Sequence, residues 1–257
     1  MAAERITQAI GWRVYGLGLM AMAAVWLTWG DFTPGQDVPD SFTNRTLMAY
    51  LIAAFTLIAG AAIEWRRSAA WGAAALAIYY TLIVVILMDG PGVIANYAEY
   101  GSYSNVAEQL AVAAAAVIVF AAFAGINAAL AARLTRIGQL TFGVCAALFG
   151  GAHFFYMNLT VPLVPQWLPP SQVFWAYATG IGQVAAGIAI LTGVQARLAT
   201  ILLSAMYVSF TMFVHIPIVV ADPANYYGWT ENALNLALIG VAWVVADSLP
   251  RPARLPG

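Results

Sequence analysis

Eight apolar runs, each about long enough to cross a lipid bilayer, leave this chain little with which to build anything else. They fall at roughly 11–29, 46–63, 69–88, 107–128, 137–157, 173–192, 198–216 and 231–248. A hydrocarbon core of about 30 Å needs about 20 apolar helical residues, so the runs use most of the 257 residues. Backbone N–H and C=O groups have no water to bond inside lipid, which makes each run a helix. The in–out alternation of a membrane β-barrel is absent. Only 8% of the residues are charged, against about a quarter in soluble domains. The expected fold class is therefore all-α integral membrane, with about eight transmembrane helices.

Charge orients the bundle. All ten basic residues are arginines. Arg5, Arg13, Arg66, Arg67, Arg133, Arg136, Arg197, Arg251 and Arg254 sit at the termini and the even-numbered connections, and Arg45 alone at an odd one. Asp31, Asp37, Asp40, Asp89, Glu99 and Asp222 gather on the other side. Arginine bias toward the cytoplasm predicts both termini cytoplasmic, in a multi-pass protein of the bacterial inner (plasma) membrane. No basic tract offers a nucleic-acid surface, and the Arg251–Pro252–Ala253–Arg254 tail reads as an anchor to lipid headgroups. The first run carries Arg13 near its start and no convincing cleavage site, so it reads as a retained helix. Cys145 is the only cysteine, which excludes an intramolecular disulfide or a CxxC site; it reads as a small apolar filler.

The two halves resemble each other at an offset of about 127 residues. Tyr50, Ala59, Gly60, Ala62, Ile63 and Tyr80 align with Tyr177, Ala186, Gly187, Ala189, Ile190 and Tyr207. Small shifts bring Pro39-x-Ser41 onto Pro169-x-Ser171, Pro91 onto Pro217, and Glu108 onto Glu231. Four helices per half is an even number, so the halves share an orientation. The chain is expected to be two parallel four-helix repeats, residues 1–130 and 131–257, related by an axis along the membrane normal.

Polar groups converge in the second half. His153 lies near the outer end of the fifth run, His215 near that of the seventh, and Glu231 opens the eighth on the same side. Ionisable groups in membrane segments usually face a bundle interior or a wet cavity, which makes these three the candidate catalytic residues. Tyr207, Trp229 and Asn232 are the expected pocket lining. The matching first-half positions are Trp26, Met88 and Glu108, so titratable chemistry concentrates in one half. A His–Glu pair can move protons beside a quinone or act as acid and base on a lipophile. No HxxxH or ExxH spacing supports a metal site, and phosphate loops, GxSxG elbows and dinucleotide fingerprints are absent. Most loop aromatics read as an interfacial belt. The uncharged segment 161–170 is expected to lie on the outer leaflet or to lid the mouth holding His153.

Residues 140–248 resemble the DoxX family of small four-helix membrane proteins. The resemblance rests on Gly151-Ala152-His153-Phe154, Val164-Pro165-Gln166-Trp167-Leu168-Pro169, Phe174-Trp175-Ala176-Tyr177, Ala186-Gly187, Ala196-Arg197-Leu198-Ala199, His215-Ile216-Pro217 and Trp229-Thr230. The first half looks like a diverged copy, so the doubled length departs from the single unit common in that family. The resemblance implies association with quinone-linked oxidation. The expected function is an accessory integral subunit of a membrane redox assembly, with a quinone- or lipid-accessible outer pocket. Its partners would be membrane lipid and a membrane or periplasmic redox protein. The alternative is a membrane isomerase or cyclase acting on an isoprenoid or sterol-like lipophile through His/Glu acid–base chemistry. A two-repeat transporter is disfavoured, because no charge sits near the centre of any run and no helix looks broken.

Overall fold

The structure is a computed structural model that describes residues 2–33, 36, 38 and 43–250. Asp37, Asp40, the Pro39/Ser41 part of the repeat alignment and the Arg251–Arg254 tail lie outside the described residues. Eight long helices run through the molecule: α1 (Gly11–Trp29), α2 (Arg45–Ile63), α3 (Ala69–Ala95), α4 (Tyr100–Phe123), α5 (Ala128–Phe155), α6 (Gln172–Thr192), α7 (Ala196–Ala221) and α8 (Tyr226–Ser248). Among the described residues, α2 to α8 are each long and apolar enough to cross a membrane. The helix α1 meets that measure only together with the short helix Ala2–Gln8, which bends from it by 62°.

Polar caps move several ends away from the expected boundaries. The Asn127 side chain accepts the Leu130 N–H at 2.9 Å and starts α5 at Ala128, about nine residues early. Asn225 accepts the Gly228 N–H at 2.8 Å and starts α8 at Tyr226 instead of Glu231. The fourth span also begins earlier, at Tyr100 rather than 107. Both Glu108 and Glu231 therefore lie inside helices, with a turn or more of helix before them.

Arginines collect at one end and tie helix termini together. Arg5 donates to the Ser248 carbonyl at 2.8 Å and Arg136 to that of Leu191 at 3.0 Å, while Arg66 bonds the Thr7 carbonyl and Arg197 that of Ala246. Each bond supplies a charged donor to backbone carbonyls at helix or loop ends. At the opposite end Arg45 pairs with Asp31 at 2.8 Å and lies over the Phe32 ring.

The helices form a closed ring in chain order, with α8 returning to pack on α1. Within it, α4 and α8 also touch each other, and they are the most enclosed spans. Buried residues make up 61% of the α4 window and 72% of that of α8, against 17% for α7, which identifies the two central helices. Ala111, Ala113, Ala114, Ala115 and Ala116 are all buried in α4, where small side chains let helices approach closely in lipid. Lipid replaces water around the rim, so Ile58, Leu82, Leu87 and Leu202 stay exposed without penalty.

Glycine contacts recur at the offset seen in the sequence. A Cβ on Gly60 would stand 3.2 Å from the Gly16 carbonyl, and one on Gly187 2.6 Å from that of Gly143. The α1–α2 and α5–α6 crossings thus use equivalent positions. A second recurrence lies in α3 and α7, where π-helix occupies Tyr79–Asp89 and Thr211–His215. Each π segment runs into a proline, Pro91 or Pro217, which lacks an N–H and crowds the carbonyl one turn back. A wider turn relieves that clash. In α7 the Asn235 amide then donates to the Tyr207 carbonyl at 2.7 Å and the Thr211 hydroxyl at 2.6 Å. Two spans are therefore locally irregular, contrary to the expectation of unbroken helices; the proline clash is the physical reason.

Candidate functional site

The helical period divides α8 into two working faces. Trp229, Asn232, Ala233 and Leu236 recur at i, i+3, i+4 and i+7, while Tyr227, Glu231 and Asn235 recur at i, i+4 and i+8. The first stripe meets α1 and the second meets α4 and α7. The expected site residues accordingly lie on different helix faces, with Phe210 of α7 between His153 and Tyr207 at 6.3 and 6.2 Å between ring centroids.

The α1 face of α8 borders a crevice of about 470 Å³. Its floor is small (Ala21, Ala24 and Ala233), and Trp29 and Trp229 flank it. The volume falls in the range of small-molecule sites. Its polar groups are few. Thr28 donates its hydroxyl to the Ala24 carbonyl at 2.8 Å, and the Trp229 indole N–H bonds the Pro223 carbonyl at 3.0 Å. The Asn232 amide makes no hydrogen bond to another described residue and is half-buried. An apolar slot with one uncommitted amide suits a lipophile bearing a carbonyl or hydroxyl. The rim is fixed by Tyr226, whose ring lies 5.6 Å from that of Trp29 and whose hydroxyl donates to the Phe32 carbonyl.

His153 belongs to the α5–α6 crossing. Its Nδ1 lies 3.2 Å from the Ala176 carbonyl and 3.2 Å from the Thr179 hydroxyl, and its Nε2 lies 3.5 Å from the Gln183 amide. Since a carbonyl only accepts, Nδ1 carries the hydrogen and Nε2 is left to accept from Gln183. The ring nitrogens are held by α6, and its face stacks on Phe210 of α7 at 6.3 Å between centroids. Glycines make its space: a Cβ on Gly150 would meet the Gly180 carbonyl at 2.5 Å, and one on Gly180 the His153 Cβ at 2.8 Å. The equivalent first-half residues are Ala23 and Ala53, beside Trp26, whose indole donates to Thr33 at 2.8 Å. His215 closes the π segment of α7, half-buried and without a hydrogen bond to described residues.

Glu231 faces inward, with Tyr227 one turn before it and Glu108 across from it on α4. Tyr207 reaches this group from α7 and lies within the field of Cys145 and Glu108. The structure therefore brings Tyr207 near Glu108, and Trp229 with Asn232 onto one crevice. It does not bring His153 into hydrogen-bond contact with His215 or Glu231. Among the described residues, no three of His, Cys, Asp and Glu gather to hold a metal ion. Glu108 is the residue that sequence reasoning left outside the site. Its alignment with Glu231 was visible, but assigning each to its own repeat hid the fact that α4 and α8 meet.

The segment after α5 folds back as a short helix, Met157–Thr160, and a single 3-10 turn, Val161–Leu163. Gln172 ties it down by donating to the Val164 carbonyl at 2.6 Å, and Trp167 meets Phe213 of α7 edge-on at 5.9 Å. It touches α7 at Phe213, two residues from His215.

A family described as a domain of unknown function (DUF8561) matches residues 142–246. That stretch begins within α5 and ends within α8. No curated protein and no solved structure matches the chain.

Proposed function

We propose that the chain is an accessory integral membrane protein of the bacterial plasma membrane that binds a quinone-like or other polar-headed lipophile in its outer half. The supporting observation is the α1–α8 crevice: apolar walls, a floor of alanines and one uncommitted amide, Asn232. A lipophile entering sideways from the bilayer buries its ring or chain on Ala21, Ala24 and Ala233 and offers its carbonyl or hydroxyl to Asn232. Flanking tryptophans suit the interfacial depth of such a head. Association with a membrane redox assembly rests on the resemblance of residues 140–248 to the DoxX family. The two-repeat reading is supported by the glycine crossings and paired π segments. The orientation with both termini cytoplasmic is supported by the arginines gathered at one end.

A photoreactive quinone analogue presented to the protein in native membranes is expected to label peptides from α1 and α8. Ala24→Trp fills the crevice floor and should reduce labelling at least about tenfold, the loss expected when a well-placed apolar contact of about 1.4 kcal/mol disappears. Labelling confined to other helices, or unchanged by Ala24→Trp, removes the reading. Gentle isolation with identification of copurifying polypeptides tests the assembly separately: a protein that carries lipophile but never a partner is not an accessory subunit. Topology has its own check. A reporter fused in the 64–68 turn should signal from the cytoplasm, and an external signal there reverses the orientation.

A further inference from the structure

The central helices each bring one carboxylate to the place where the halves meet. Glu108 stands about 12 Å along α4 from its start and Glu231 about 8 Å along α8, at about 1.5 Å per residue. The packing of α4 on α8 at this level puts the two carboxylates within range of each other's charge, and Asp89 of α3 adds a further negative field at Glu108. From α8 the neighbouring group is the Tyr227 phenol, and from α7 it is Tyr207, with Cys145 of α5 behind it. Among the described residues, no arginine is one of the charges acting on either glutamate. Tyr207 is 2% exposed, and its hydroxyl has no hydrogen-bond partner among the described residues. An unpaired buried hydroxyl is destabilising, so a phenol within the field of a carboxylate is a donor poised to reach it. The glutamates themselves are half-buried and thus not sealed from exchange.

We propose that Glu108 and Glu231 share a single proton and so form an intramembrane proton-binding site built jointly by the two halves. Two carboxylates in low dielectric without a cation repel each other strongly if both ionise. Retaining one proton removes that repulsion and leaves one net negative charge, which Tyr207 and Tyr227 face as hydrogen-bond donors. Asn235 holds the π segment that follows Tyr207 and so positions its ring. The site lies on the other face of α8 from the lipophile crevice and does not depend on that reading.

The test is infrared difference spectroscopy of the full chain in lipid nanodiscs, following the protonated-carboxyl band through a pH titration. Wild type should retain one protonated carboxyl at neutral pH, and the E108Q/E231Q double variant should lose it. In each single variant the remaining carboxyl should titrate in one step, at a pH different from both wild-type steps, because coupled protons belong to the pair. If each single variant deletes one step and leaves the other in place, the carboxyls are independent and the proposal fails. It fails equally if wild type holds no protonated carboxyl at neutral pH, or if sodium or calcium removes the band at fixed pH and so identifies a metal occupant. Should the single variants not assemble, Y207F decides: removing the donor phenol is expected to shift the wild-type steps, and an unchanged titration overturns the proposal.

Discussion

Gly18→Leu and Gly240→Leu are each expected to cost about 3 kcal/mol of stability, near the upper end of what overpacking does in a close-packed core. A Cβ on Gly18 would stand 2.4 Å from the Ala237 Cα, and one on Gly240 2.4 Å from the Tyr15 Cα. Both contacts are with main chain, which cannot swing aside as a side chain can. The only relief is to part α1 from α8, the closing contact of the ring. Parting them strains the central packing of α8 and destroys the crevice between Trp29 and Trp229. Thermal unfolding in detergent, followed by tryptophan fluorescence, should show a large drop for both variants. Leu202→Ala, on the lipid-facing rim, should stay within about 0.5 kcal/mol of wild type. Equal losses at Gly18 and Leu202 would mean that α1 and α8 do not approach as described.

Gly150→Val is expected to cost about 2 kcal/mol by the same mechanism, and it carries a chemical signature as well. Its Cβ would meet the Gly180 carbonyl at 2.5 Å and the Val184 nitrogen at 2.7 Å, pushing α6 away from α5. The bonds that occupy His153, to Ala176, Thr179 and Gln183, all come from α6 and would lengthen together. The freed imidazole should react faster with diethylpyrocarbonate by about tenfold, as about 1.4 kcal/mol of protection is lost. Residue-resolved mass spectrometry reads this against His215 in the same sample, which should change little. An unchanged His153 rate would show that α6 does not hold the ring.

These two crossings also show why parts of the site were unreadable beforehand. The second-half glycines were visible as small residues, but their partners were not. Gly150 opposes Gly180 only because α5 and α6 cross there. The first half has Ala23 and Ala53 at the same register, with Trp26 in place of His153. That difference was legible as a loss of histidine, whereas the tighter crossing that admits an imidazole was not. Sequence depth likewise placed both histidines and Glu231 near one end of the bundle. Depth fixes one coordinate of a residue; the face on which it lies depends on the helix start and rotation. Asn225 caps α8 earlier than the apolar pattern suggested, and so Glu231 falls on the inward stripe while Trp229 and Asn232 fall on the α1 stripe.

What the amino-acid order alone determined is the solvent and the end of each helix that carries charge. Hydrophobic runs of bilayer length, without enough charged residues to coat a water-facing body, leave helices in lipid as the physical outcome, and arginine placement separates the two ends. At the offset read between the halves, glycine crossings and proline-linked π segments recur. Only the tertiary arrangement decided which faces look at one another. Closing the ring between α1 and α8 put α4 and α8 at the centre, set Glu108 near Glu231, and placed His153 between α6 and Phe210 of α7. Those choices come from side-chain volume and backbone approach at helix crossings. Such quantities depend on pairs of residues far apart in the chain, and no pattern along a single helix contains them.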